Sequence, residues 1–226
     1  MRLLLISSSV VHGYGYLDHA EPEIRALGVR RAGFVPFALA DHDAYTAKVR
    51  DRLAAMEIGV RQIDDARDVS GVDAIFVGGG NTFRLLKTLY DRDLLGVIRD
   101  RVREGLPYIG SSAGTNIAAP TIRTTNDMPI VQPPSFDALG FVSFQINPHY
   151  LDPDPASTHH GETREERLLQ YLEENEAPVV GLREGSVLRV DGGVTILAGL
   201  KPARIFKRGA APFEIEPGCV IDPFLR

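Results

Sequence analysis

The stretch "YIGSSAGTNIAAP", Tyr108–Pro120, is an apolar run that breaks into glycines and serines and then resumes as a small-residue helical pattern. Gly110, Ser112 and Gly114 fit G-x-S-x-G, with Ser112 at the centre; Ser111 does not, because the glycines are then misplaced. A sharp turn from strand to helix lifts the central side chain above the end of a sheet, and glycines on either side allow the crowded backbone. The competing reading is a small-residue turn that only packs a helix against a strand.

Around this turn the chain alternates apolar runs with helical patterns. Buried strands are read at Leu3–Ser7, Phe34–Ala38, Asp73–Gly80 and Leu106–Gly110. Helices are read at Leu17–Leu27, Asp43–Ile58, Asn81–Tyr90 and Asp93–Glu104. Continuous apolar strands separated by helices imply an α/β fold, a mostly parallel sheet with helices on both faces. In the last third, "SVLRVDGGVTIL" (Ser186–Leu197) has two β-rich runs around Asp191-Gly192-Gly193, a hairpin signal. With short β segments near Ala203–Lys207 and Phe213–Ile215, it reads as antiparallel strands added at the sheet edge, within one domain spanning residues 1–226.

Composition narrows the classes. A formal net charge of −5 argues against a nucleic-acid or anionic-membrane surface. One cysteine, Cys219, precludes an internal disulfide and suits a reducing, cytoplasmic setting. "MRLLLISSSVV" reads as a first strand and not a leader, and no run approaches the length of a membrane span.

A serine needs a base to become a nucleophile. Of six histidines, His149 stands out in "FQINPHYLD", at the end of a β-rich run. A base of this kind needs an acid to fix its tautomer. Asp127 in "IRTTNDMPI" and Glu184 in "VVGLREGSV" are the two candidates. "VGGGNTFRLL" places Gly78–Gly80 after a strand and before a helix, where backbone N–H groups face an anion, but without a P-loop ending. The adjacent His159 and His160 have no HExxH motif or cysteine cluster beside them, so no metal is expected. Thr163 and Glu166 have capping-box spacing, which sets Arg164 in the first turn of a helix.

Several long motifs in order ("VGGGNTFRLLK", "YIGSSAGTNIAAPTIRTTNDMPIV", "FDALG", "QINPHY" and "HGETREER") resemble the peptidase E family, the α-aspartyl dipeptidases among the S51 serine peptidases. The resemblance runs along nearly the whole chain. It implies a class I glutamine-amidotransferase-like fold with serine in place of cysteine, and hydrolysis of dipeptides with an N-terminal aspartate without a cofactor. It further implies Ser112 as nucleophile, His149 as base and either Glu184 or Asp127 as third member, with Glu184 favoured by its strand-end position. The remaining carboxylate would hold the substrate ammonium. The N–H groups of Ala113 and Gly79 would serve the oxyanion, and Arg164, assisted by His159, would pair with the substrate carboxylate. Ser111 and His160 are departures, since relatives often carry Trp and Lys there.

The implied partner is a small dipeptide, in a monomer or homodimer. Two readings compete with it: a cyanophycinase-like or broader-specificity dipeptidase on the same fold, and a non-catalytic module that holds a small anion in its glycine turns. An amidotransferase is disfavoured, because the elbow holds no cysteine.

Overall fold

The computed structural model describes residues 1–154, 156, 158 and 160–225. Its main sheet has seven strands in the order β3-β2-β4-β5-β1-β8-β9. β1 (Arg2–Ile6), β2 (Arg31–Val35), β3 (Gly59–Gln62), β4 (Ala74–Val77) and β5 (Tyr108–Ser111) run parallel. β8 (Ser186–Asp191) and β9 (Val194–Gly199) form the hairpin and add antiparallel to β1. Its turn is Gly192-Gly193, both at positive φ, as a two-residue hairpin of matching twist requires.

The central strands are apolar on both faces because both faces are covered. Leu4 and Ile6 of β1 pack with Ile24, Val49 and Leu53, on the side of α1 (Glu21–Ala26) and α2 (His42–Ala54). Leu3 and Leu5 point the other way, into a cluster with Leu85, Leu89, Ile98 and Val102 of α3 (Thr82–Asp91) and α4 (Leu94–Arg103). The period of two along one strand therefore feeds two cores. Each fully buried Leu, Ile or Phe side chain contributes about 1.5–3 kcal/mol through removal from water.

A second sheet of four strands, β11-β10-β7-β6, lies beside the first. β6 (Gln145–Tyr150) and β7 (Val179–Arg183) are parallel, while β10 (Ala203–Phe206) and β11 (Phe213–Ile215) are antiparallel additions. The reading of all C-terminal segments as additions to one sheet edge therefore holds for β8 and β9 only. Once they occupy the edge beside β1, β10 pairs with β7 instead and buries Ile205 and Phe206. Ile146, Val180 and Ile205 of this sheet join the cluster that holds Leu3 and Leu5.

Several boundaries differ from the sequence reading for local reasons. β2 ends before Pro36, which has no N–H to donate. The segment expected as a helix over Leu17–Leu27 is a 3₁₀ turn at Asp18–Ala20 followed by α1, with Leu17 at φ 61° and Pro22 in the first turn. β3 went unread because GVRQ is a half-exposed edge strand with no apolar run. Among the described residues no helix is long and apolar enough to cross a membrane.

Candidate active site

The C-terminal ends of β4 and β5 deliver the first part of the site. Ser112 follows β5 and immediately precedes α5 (Ala113–Asn116), with φ 53° and ψ −109°. This is a strained conformation for a residue with a side chain, and here the surroundings impose it. A Cβ at Gly110 would lie 2.6 Å from the Gly114 carbonyl oxygen, and one at Gly114 would lie 2.2 Å from the Val77 carbonyl oxygen. Both glycines of the motif are thus steric requirements of the turn. Buried hydroxyls lock it: Tyr108 donates to the Gly114 carbonyl at 2.6 Å, and the Thr115 hydroxyl lies 2.7 and 2.8 Å from the Ile6 and Gly110 carbonyl oxygens, which share its one proton.

His149 comes from the second sheet. In the β6–β7 ladder Pro148 opposes Leu182 and Tyr150 opposes Arg183, so His149 is the extra residue of a bulge. Its φ is 53°. The bulge re-aims the imidazole, which lies with Nε2 2.8 Å from Ser112 Oγ and Nδ1 2.8 Å from Glu184 Oε1. A carboxylate only accepts, so Nδ1 carries the proton and Nε2 is left to accept from the serine hydroxyl.

Asp127 takes another place. Its carboxylate accepts the Thr82 N–H at 2.7 Å, at the start of α3, where the helix N-terminus favours a negative charge. Of the two carboxylates singled out in the sequence, the structure brings Glu184 to the imidazole and sets Asp127 on the wall of the same cavity. That cavity, of about 840 Å³, is lined by Ser112, His149, Asp127, Arg164 and Glu184 among others.

Arg164 is the first residue of α6 (Arg164–Glu174), whose N-terminus has the full capping box of Thr163 and Glu166. A cation at this end of a helix opposes the helix dipole, so helix stability does not explain it. Arg164 is half-buried, one guanidinium nitrogen has no hydrogen-bond partner, and burial is the main cause holding its pKa below the ordinary arginine value. The remaining predicted residues are Gly79, Ala113 and His159. The Gly79 backbone packs against the nucleophile, since a Cβ there would meet Ser112 Cβ at 2.9 Å, and its amide also neighbours the Tyr45 hydroxyl. Ala113 opens α5, so its N–H has no partner within the helix. His159 lies outside the described residues.

Two sets of residues escaped the sequence reading. Arg183, next to Glu184, is held by two carboxylates, Asp152 and Glu214, with contacts of 2.7 to 2.9 Å. Those bonds raise the arginine pKa, Glu214 contributing most, and fix the end of β7 that carries Glu184. Ser7, at the end of β1, is buried and bonded to the backbone of both β6 and β7. A serine run after the first strand, "ISSS", was the available signal. Among the described residues no group of three or more His, Cys, Asp and Glu is gathered as a metal site would need.

Comparisons with known proteins show the family of the chain. The model of peptidase family S51 matches residues 3–198. The chain is 57% identical over 232 residues to peptidase E of Streptomyces coelicolor, covering 100% of this chain and 95% of that protein. It is 50% identical over 225 residues to a Drosophila melanogaster protein named as a probable alpha-aspartyl dipeptidase, covering 96% and 94%. The solved structure of a peptidase from an acI-B1 actinobacterium superposes with a TM-score of 0.67 at 18% identity, covering 97% of this chain and 96% of that one, a likeness of fold. By a family match over most of its length and relatives at half identity or more, the chain belongs to peptidase family S51.

Proposed function

We propose that the protein is a serine dipeptidase that hydrolyses dipeptides with an N-terminal aspartate. The observation that carries this reading is the hydrogen-bonded line Ser112–His149–Glu184 opening into a cavity that also holds the under-bonded Arg164. Ser112 Oγ attacks the scissile carbonyl while His149 Nε2 takes its proton, and Glu184 stabilises the imidazolium that forms. The oxyanion is received by the Ala113 and Gly79 amides. His149 then hands the proton to the leaving amine. Water, deprotonated by the same imidazole, attacks the aspartyl ester, and the proton returns to Ser112 as aspartate leaves.

Specificity follows from charge. An N-terminal aspartyl residue brings one ammonium and one side-chain carboxylate into a space that removes them from water, and each needs a partner. Asp127 supports the ammonium and Arg164 the carboxylate. The single cysteine is the compositional ground for placing the enzyme in the cytoplasm.

The test is kcat/KM for Asp-Leu and Ser-Leu with the natural protein, Arg164→Ala and Arg164→Lys. A charge-assisted guanidinium–carboxylate bond is worth roughly 1.5–3 kcal/mol, or about 10- to 150-fold per bond. Arg164→Ala is expected to lose that factor on Asp-Leu and to spare Ser-Leu. Arg164→Lys is expected to recover part of it, because lysine offers a point charge and no planar fork. An unchanged Asp-to-Ser ratio in Arg164→Ala would move the specificity cation elsewhere.

A further inference from the structure

We propose that Ser7 is a positioning residue for the hydrolytic site: its hydroxyl holds the His149 backbone in place and so sets the line from Nε2 to Ser112. The inference rests on the Ser112–His149–Glu184 reading and adds a residue that touches none of the reacting atoms.

His149 is the bulged residue of β6, and its backbone sits at φ 53°, a region that disfavours side chains. Such a conformation persists only where something fixes it. The bulge also takes the His149 N–H out of the β6–β7 ladder. Ser7 Oγ accepts that N–H at 2.9 Å and donates its own proton to the Leu182 carbonyl at 2.6 Å. One hydroxyl therefore closes the gap that the bulge opens, bonded to β6 at His149 and to β7 two residues before Glu184.

The other contacts of this corner make it the common reference for the site. The Ser7 N–H donates to the Ser186 carbonyl at 3.1 Å, two residues after Glu184. The preceding residue, Ile6, accepts the N–H of Ser112 at 3.0 Å. Ile6-Ser7, at the end of the central strand β1, is thus bonded directly to the backbones of the nucleophile and the base and to both flanks of the acid. β1 belongs to the main sheet with the elbow, whereas His149 lies in β6 of the second sheet and Glu184 in the turn from β7 of that sheet to β8 of the first. The two parts of the site are registered against each other through this dipeptide. Ser7 is fully buried and is not part of the cavity wall, so substrate binding does not explain a hydroxyl at this place.

Ser7→Ala removes the acceptor for His149 and the donor for Leu182 while leaving every residue of the cavity unchanged. A misplacement of about 1 Å between reacting groups costs on the order of 10²-fold. Steady-state kinetics on Asp-Leu, with sites counted by end-point titration with a fluorophosphonate, are expected to show kcat per titrated site falling about 10- to 100-fold. KM should stay within about threefold, because Arg164 and Asp127 stand on other elements. Ser7→Thr, which keeps the hydroxyl, and Ser7→Cys, which keeps a weaker donor and acceptor, are expected to fall between Ser7→Ala and the natural protein. Thr46→Val supplies the control, since it deletes another buried hydroxyl, bonded to Gln62 at 2.5 Å, away from the site. It should leave kcat per site unchanged.

A Ser7→Ala kcat per site within twofold of the natural protein would overturn the proposal, as would a fall matched by a rise in KM. If Ser7→Ala does not fold, Ser7→Cys decides: a kcat per site at least about threefold below that of the natural protein at unchanged KM supports the proposal, and any smaller fall overturns it. Ser112→Ala in the same assay separates the two claims. If it is inactive while Ser7→Ala is normal, only the positioning role fails; if it turns over, the underlying reading fails with it.

Discussion

Ser112→Ala is expected to lose turnover of Asp-Leu by on the order of 10³-fold or more, while Ser111→Ala keeps most of it. The two serines are neighbours in sequence and opposites in environment. Ser112 stands at φ 53° with Oγ 2.8 Å from the imidazole. Ser111 is the last residue of β5, pairs with Ile6 in the sheet, is fully buried, and has a hydroxyl with no hydrogen-bond partner. Removing Oγ from Ser112 abolishes the covalent route, and a linked set of catalytic groups fails together when one is lost. The loss corresponds to about 4 kcal/mol or more of transition-state stabilisation. Removing Oγ from Ser111 deletes an unsatisfied buried polar atom, so stability is expected to hold or rise slightly. Rates at saturating and limiting substrate, with a thermal melt for each variant, check both statements.

The two carboxylates are expected to separate by kinetic signature. Glu184 accepts from His149 Nδ1, so Glu184→Gln should lower kcat for every substrate. The glutamine amide can turn its NH₂ towards the ring, which favours the wrong tautomer as well as removing the charge. The Glu184 side chain is 54% exposed, so solvent screens part of its charge. An effect of about 10²- to 10³-fold, below that of a deeply buried acid, is therefore expected. Asp127 accepts the Thr82 N–H and faces the cavity without touching the imidazole chain. Asp127→Asn keeps an acceptor for Thr82 and loses the charge that pairs with an ammonium. It should raise KM for free dipeptides and leave the chemical step less affected. The reverse pattern would exchange the two assignments, and small equal effects would remove both.

What could be read in the chain was local. The elbow was legible because Gly110 and Gly114 are required within five residues of each other by contacts that any such turn makes. The capping box around Arg164 was legible for the same reason, as the four residues Thr163–Glu166 suffice to define it. The parallel core was legible because both faces of β1 and β4 are buried, which leaves unbroken apolar runs. Pairing between distant segments was not. Nothing in "QINPHY" says that it lies beside "VVGLR" in a sheet of its own, yet that pairing brings His149 to Glu184. Asp127 illustrates the limit from another side: its sequence offers a carboxylate, while its partner, the Thr82 N–H, is 45 residues away. The Arg183 pairs with Asp152 and Glu214, each 31 residues distant, are of the same kind. Ser7 lies 142 residues from His149, and no spacing rule connects them.

The central claim is that peptide-bond cleavage passes through a covalent bond to Ser112. Incubation with a fluorophosphonate followed by mass spectrometry of the digested protein tests it most directly. The expected result is a single phosphonyl adduct on the peptide containing Ser112, formed in step with loss of Asp-Leu hydrolysis, retained in Ser111→Ala and absent in Ser112→Ala. An adduct on Ser111, or complete labelling of Ser112 with hydrolysis of Asp-Leu undiminished, would contradict the account.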